Sequence, residues 1–457
     1  MDSISFIDWF VALIFSVIFF VIFSIYWERK LSVEKRRRNQ LALLFKFAGA
    51  FIYCFVHVYV FKQGDTFQYF IGGVELKKLI LFVPEEVWHL INSSEPSKYV
   101  LQNLKIQDSI YFAGSNYFIL KLAAFASLLG FNLYVVSTIF FALFSFYGVM
   151  QLVNLLDKYL PLSYKKIDFA FIYIPTIFIW GSGLAKDSIA LGSLCLMIAS
   201  FLRFFIFKKK QVVSIIQFMI GFFICVNTKS YLVYSCLPFL ILCVWHNSYA
   251  SHRLFSKRKI FAYSINFLVI ALVYFYKEEL NELLSNKVLV LFEDRFIIGT
   301  KALAEQNAGS KYDLGMDLFE IKNASQMLKY APQAINVSLF RPYVTDMSSI
   351  KMLLNVTESL LTLLFACYVV IKCRFRIFYD LLTKPFILFS FCYSIIFSFF
   401  IGISSGNFGT LVRYKVPMMP FFILALLLLL EYQKQRRKKV ELVDKILHET
   451  TDASTST

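Results

Sequence analysis

Six charged side chains stand out, because each occurs in otherwise apolar sequence, where an ionised group is expensive. Asp65 lies in FKQGDTFQYFIGG. Lys186 and Asp187 lie in WGSGLAKDSIALGSL, just after the glycines at 181 and 183. Lys229 lies in VNTKSY, Arg341 in SLFRPYVTD, and Arg413, with Lys415 close behind, in GNFGTLVRYKVPMMP. A carboxylate at such a place can accept a proton from a hydroxyl. Lysine and arginine suit phosphate oxygens, arginine with two parallel hydrogen bonds. Asp65 and Asp187 are therefore the candidate catalytic groups, and Lys186, Lys229, Arg341, Arg413 and Lys415 the candidate phosphate- or glycan-binding groups. Competing structural roles exist for each. Asp65, Asp187 or Ser182 can cap a helix, and the lysines and Arg413 can snorkel to an interface. Glu358 adds a costly carboxylate inside the apolar run that follows Arg341.

The elements that position these groups are membrane spans. Hydrophobic residues make up 58% of the 457 positions and charged residues 17%, with 53 Phe. A soluble fold of this length has no interior for so much apolar surface. A span needs about 20 apolar residues, which predicts spans over 5–26, 41–61, 133–155, 188–207, 260–276, 351–371, 384–403 and 416–431. Shorter ones are expected over 168–180, 212–227 and 231–247. The fold class is an all-α polytopic bundle of about eleven spans, a single integral membrane domain over 1–457. Short amphipathic helices are expected in two long outer loops, 63–132 and 277–350, and the basic tail 432–457 is expected to end in disorder.

The formal net charge of +17 resides in short juxtamembrane runs at 29–38, 208–210, 253–259, 372–376 and 434–439. These are topology determinants that also meet membrane lipid, and nucleic acid is excluded as a partner. Setting them all on the cytoplasmic side puts the N-terminus outside and the C-terminus inside. It places all six charged positions on the outer face, and requires 116–131 to be an interfacial helix rather than a span. The eight Cys form no CxxC pair and the five His no HExxH pattern. Free thiols follow, and no dedicated metal cage. No cofactor is expected, with a divalent cation left open.

An Asp opening the first long outer loop (Asp65), a surface helix leading into a span (116–133) and basic outer-loop residues (Lys186, Arg341, Arg413) resemble bacterial multispanning envelope glycan proteins. Those are the GT-C-type glycosyltransferases and the polysaccharide polymerases of the O-antigen polymerase type. WGSGLAKDS and GTLVRYKVP are also similar to stretches in that group, although Asp65 is followed by Thr66 and not by a second acid. The resemblance implies a transferase or polymerase acting on a polyprenyl-phosphate- or diphosphate-linked sugar at the outer face of the cytoplasmic membrane. A glycolipid flippase or transporter, and a non-catalytic envelope assembly subunit, are the alternative functions.

Overall fold

The computed structural model describes residues 4–62, 64–83, 88, 93, 95–103, 114–208, 211–248, 312, 314–315 and 324–455. The expected span 260–276, and most of the expected outer loop 277–350, lie outside these residues. The described chain is helical. Helices α1 (Phe6–Glu28) and α2 (Val33–Phe55) come first, α2 ending in a π-helical turn, Val56–Phe61. Then follow α3 (Asp65–Phe82), α4 (Lys98–Asn103), α5 (Gly114–Leu129) and α6 (Tyr134–Tyr159). A broken stretch comes next, made of α7 (Tyr164–Asp168), a π turn (Phe169–Tyr173) and α8 (Pro175–Trp180). It leads into α9 (Lys186–Leu202) and the long α10 (Gln211–Ser248). After the gap stand α11 (Ala331–Phe340), α12 (Leu353–Cys373), α13 (Arg376–Thr383), α14 (Pro385–Ser405), α15 (Phe408–Tyr414) and α16 (Met419–Thr455).

Among the described residues, seven helices are long and apolar enough to cross a membrane, or eight if α15 and α16, bent 64° against each other, count as one span. This is a multi-pass membrane protein. The count falls short of eleven for identifiable reasons. Pro175, which has no N–H to donate, starts a new helix and leaves 164–180 as short pieces. Residues 212–247 form one helical run, broken at Lys229, whose φ is −150° and ψ 88°.

The contacts define two ends of the bundle. At one, Arg38 binds Asp168 through Nε (2.9 and 2.8 Å) and Nη2 (2.6 Å), with Asp157 at 3.1 Å from Nη1. Lys166 meets Glu431 at 2.5 Å, and Arg436 meets Asp380 at 2.6 and 2.7 Å. The basic runs 29–38, 372–376 and 434–439 thus gather at this Arg38 end. At the other end, the Asp8 carboxylate accepts from the backbone N–H groups of Tyr134 and Val135 at 3.0 and 3.1 Å, capping α6. Thr66 and Tyr134 share a hydrogen bond of 3.0 Å there. Helix α10 visits both ends. Gln217 accepts from Arg203 at the close of α9, Lys229 meets Asp187 at its start, and His246 donates to the Leu382 carbonyl, back at the Arg38 end. The two halves of α10 therefore run in opposite directions, and the break at Lys229 is a reversal.

Close backbone approach sets the centre of the bundle. A Cβ on Gly148 of α6 would lie 1.9 Å from the Gly192 carbonyl oxygen of α9. These two helices touch through their backbones, which only glycine permits. Helices α3 and α5 lie side by side, with Gly73 against Ala123 and the Tyr69 hydroxyl donating to Asn116 at 2.8 Å. Lys77 pairs with Asn132 farther along.

Residues 432–455 continue α16 as helix, and no Gly or Pro follows Pro420 to interrupt it.

Candidate functional site

The site forms where three irregular backbone features meet. The π turn at the end of α2 closes on Lys62, at φ 56°, and Gly64, at φ 141°. This releases the chain so that α3 begins directly with Asp65. The Asp65 side chain accepts from Arg413 Nη2 at 2.9 Å, across 348 residues of sequence. Arg413 stands in α15, a short helix capped by the Asn407 side chain, which accepts from the Gly409 N–H at 2.6 Å. The third feature is the turn 181–185 between α8 and α9. A Cβ on Gly183 would lie 2.4 Å from the Tyr53 ring, so glycine lets this turn press onto α2. Neither Ser182 nor Asp187 caps α9: the Ser182 hydroxyl donates to the Phe178 carbonyl, and the Asp187 carboxylate accepts from Lys229 at 2.6 Å.

Two ion pairs of unlike character result. The Asp65 side chain is 44% exposed and that of Arg413 21%, whereas Asp187 and Lys229 are 4% and 2% exposed. The aromatic lining is dense. The Arg413 guanidinium lies 5.9 Å from the Trp180 ring centroid, and Lys229 Nζ 4.3 Å from that of Tyr414. Trp180 stands edge-on to Tyr53 and to His57 and stacks on Phe61 at 6.5 Å. Arg413 Nε is buried and has no hydrogen-bond partner among the described residues. A guanidinium N–H left this way incurs the full desolvation penalty unless an acceptor fills its position.

The remaining residues fall into neighbouring groups. Lys186 Nζ donates to the Ser115 hydroxyl of α5 at 2.9 Å. Arg341 forms a fork with Asp346 at 2.8 and 2.5 Å and lies 5.0 Å from the Phe408 ring, beside α15. The Arg341 hydrogen bonds hold the Asp346 carboxyl below the usual carboxylate range. Lys415 is buried, donating to the Ser359 hydroxyl at 3.2 Å and the Arg341 carbonyl at 3.5 Å. Beneath them Glu358 accepts from the Thr176 hydroxyl at 2.5 Å and from its N–H at 2.8 Å. The costly carboxylate of α12 is thereby satisfied at the first turn of α8.

The structure therefore joins Asp65 with Arg413 and Asp187 with Lys229, and links Arg341 to Lys415. The cluster is less cationic than its cations alone suggest, because Asp65, Asp187 and Asp346 each take one of them. Among the described residues no three His, Cys, Asp or Glu side chains gather as metal ligands, and the eight cysteines are free thiols. Sequence reasoning missed Tyr53, His57, Phe61 and Tyr414, which wall the site, and Lys46 beneath it. Lys46 is buried and donates to the Ser145 hydroxyl at 3.1 Å and the Gly181 carbonyl at 2.7 Å. Its signal was a lysine inside the otherwise apolar LALLFKFAGAF; the aromatic rings carry none, in a chain with 53 Phe and 26 Tyr.

Comparison of the chain with known protein families, with curated proteins and with solved structures finds no match.

Proposed function

We propose that this protein is a membrane glycosyltransferase or polysaccharide polymerase that uses a polyprenyl-phosphate- or diphosphate-linked sugar at the outer face of the cytoplasmic membrane. The observation that carries the reading is Arg413. It is tethered to a half-exposed carboxylate through Nη2, it lies beside Trp180, and its buried Nε lacks an acceptor. A phosphate oxygen is the acceptor that a guanidinium fits best. In the proposed step the acceptor hydroxyl oxygen bonds to the anomeric carbon, and the bond from that carbon to the phosphate oxygen breaks. The hydroxyl proton passes to Asp65, and the charge developing on the leaving phosphate is met by Arg413, with Lys186 and the Arg341–Lys415 group on its flank. Asp187, expected as a second catalytic carboxylate, is buried against Lys229. In this reading it positions Lys229 and the start of α9.

The Asp65 end is the outer face in this proposal, because the basic runs gather at the opposite end. With the N-terminus outside, both halves of α10 and the broken 164–180 stretch each cross the membrane. In this reading α5 rests on the outer surface; the expected span 260–276, on which a total of eleven depends, lies outside the described residues. One observation favours a second reading as a glycolipid flippase. Lys46 places a buried cation well inside α2, as a transport path requires.

The test is a deletion strain restored with wild type, Asp65→Asn, Lys186→Ala or Arg413→Ala, each variant checked for membrane insertion. Lipid-linked glycans and surface polysaccharide are then profiled. The proposal expects the deletion to accumulate an unpolymerised or undecorated lipid-linked precursor that well-expressed variants fail to clear. Unchanged glycans on deletion, or full rescue by all three variants, would overturn it.

A further inference from the structure

The short helix α13 joins the spans α12 and α14 at the Arg38 end. Its eight residues, Arg376–Thr383, are too few to cross a bilayer. The chain leaves α12 through Arg374, at φ 48°, and enters α14 at Pro385, so both ends of α13 are held at the level where the spans terminate.

The two faces of α13 are unlike. On the inner face, Asp380 is fully buried and takes both terminal nitrogens of Arg436 on α16, at 2.6 and 2.7 Å. On the outer face Phe375, Phe378, Tyr379 and Leu382 recur at the spacing of one helical stripe. All four are more than half exposed, Phe375 reaching 85%. Ile371 continues this apolar surface onto the last turn of α12. Beside the stripe stand Lys372, Arg374 and Arg376, all exposed. Neither arginine has an ion-pair partner among the described residues.

An amphipathic helix fixed at the boundary of two spans, apolar outward and rimmed by unpaired cations, has the chemistry of a surface that lies in the headgroup layer. We propose that α13 is a docking surface for anionic phospholipid. Its aromatic stripe enters the acyl region, Arg374 and Arg376 hold headgroup phosphates, and the Asp380–Arg436 clamp transmits that seat to α16. This inference does not depend on the proposed transferase activity.

The test uses the full chain in nanodiscs of phosphatidylcholine alone or mixed with phosphatidylglycerol. In a Cys367→Ser background, Phe378→Cys is labelled with an environment-sensitive dye, and a lipid carrying a nitroxide on its acyl chain serves as quencher. A blue-shifted, quenched emission is expected. Lipid retained through detergent exchange should favour phosphatidylglycerol. Arg374→Gln/Arg376→Gln should reduce that preference up to about 25-fold, from about fivefold per cation near an anionic surface, and added salt should reduce it likewise. Water-like emission, or blue-shifted emission that the quencher does not reach, would overturn the proposal, the second by showing protein over the stripe. A phosphatidylglycerol preference that the double variant leaves within about twofold of wild type, against the expected loss of about five- to 25-fold, would overturn it equally.

Discussion

Asp187→Asn is predicted to destabilise the fold severely, whereas Asp65→Asn is not, although both remove a carboxylate from an ion pair at the same end of the bundle. The reason is solvent. Asp187 and Lys229 are 4% and 2% exposed and 2.6 Å apart, so removal of the carboxylate strands an ammonium in a low dielectric. Breaking one partner of such a pair costs about 3–5 kcal/mol. Lys229 keeps its place over the Tyr414 ring, at 4.3 Å, which sets the expectation at the lower end of that range. Asp65 and Arg413 are 44% and 21% exposed, and water screens what remains, so Asp65→Asn should cost about 1 kcal/mol or less. Reversible unfolding in mixed micelles measures both. A third variant isolates the pairing: Asp187→Leu/Lys229→Met removes both charges and should recover most of the loss, with a coupling of about 2 kcal/mol or more. If Asp187→Asn costs no more than Asp65→Asn, or if the double variant is no better than the single one, the burial argument is wrong.

Under the proposed function the same two variants separate in the other direction, because Asp65→Asn should keep its fold and lose about 10²–10⁴-fold in transfer rate, measured with a purified lipid-linked donor. Gly148→Ala drives a methyl to 1.9 Å from the Gly192 carbonyl, a backbone atom that moves only with its helix, and should cost about 1–3 kcal/mol or more in the same unfolding assay. The depressed carboxyl of Asp346 contributes stability that is complete above its unfolded value, about 3.9, and is lost as pH falls through its lower folded value. Acid titration of unfolding should therefore show wild type losing stability below about pH 4, where Asp346→Asn, already without the pair, changes less.

Much of the frame was legible in the linear order of residues. Apolar runs of span length predicted α1, α2, α6, α9, α12, α14 and α16, because a bilayer sets a length and a polarity that no other environment imposes. The basic runs predicted which loops share an end, and the contacts of Arg38, Lys166 and Arg436 join three of those regions there. Charged residues in apolar context marked Asp65, Asp187, Lys229 and Arg413, since desolvation makes such residues costly unless they have partners.

Who pairs with whom was beyond the sequence. Asp65 and Arg413 are 348 positions apart and meet because of a π turn at the end of α2, a sharp bend between α15 and α16, and a glycine that lets the 181–185 turn rest on Tyr53. Each of these is a local backbone choice that one-dimensional periodicity does not encode. The reversal at Lys229 was expected as a loop between two spans, but its cause, the buried pairing with Asp187, is tertiary. Residue order alone establishes that the chain crosses a membrane several times and which residues are too polar to be there without a reason. The packed bundle supplies the reason for each: Glu358 satisfies the start of α8, Asp187 neutralises Lys229, and Arg413 keeps a buried Nε without an acceptor beside its pairing with Asp65. Burial and partnering belong to the packed bundle and to no single segment of it.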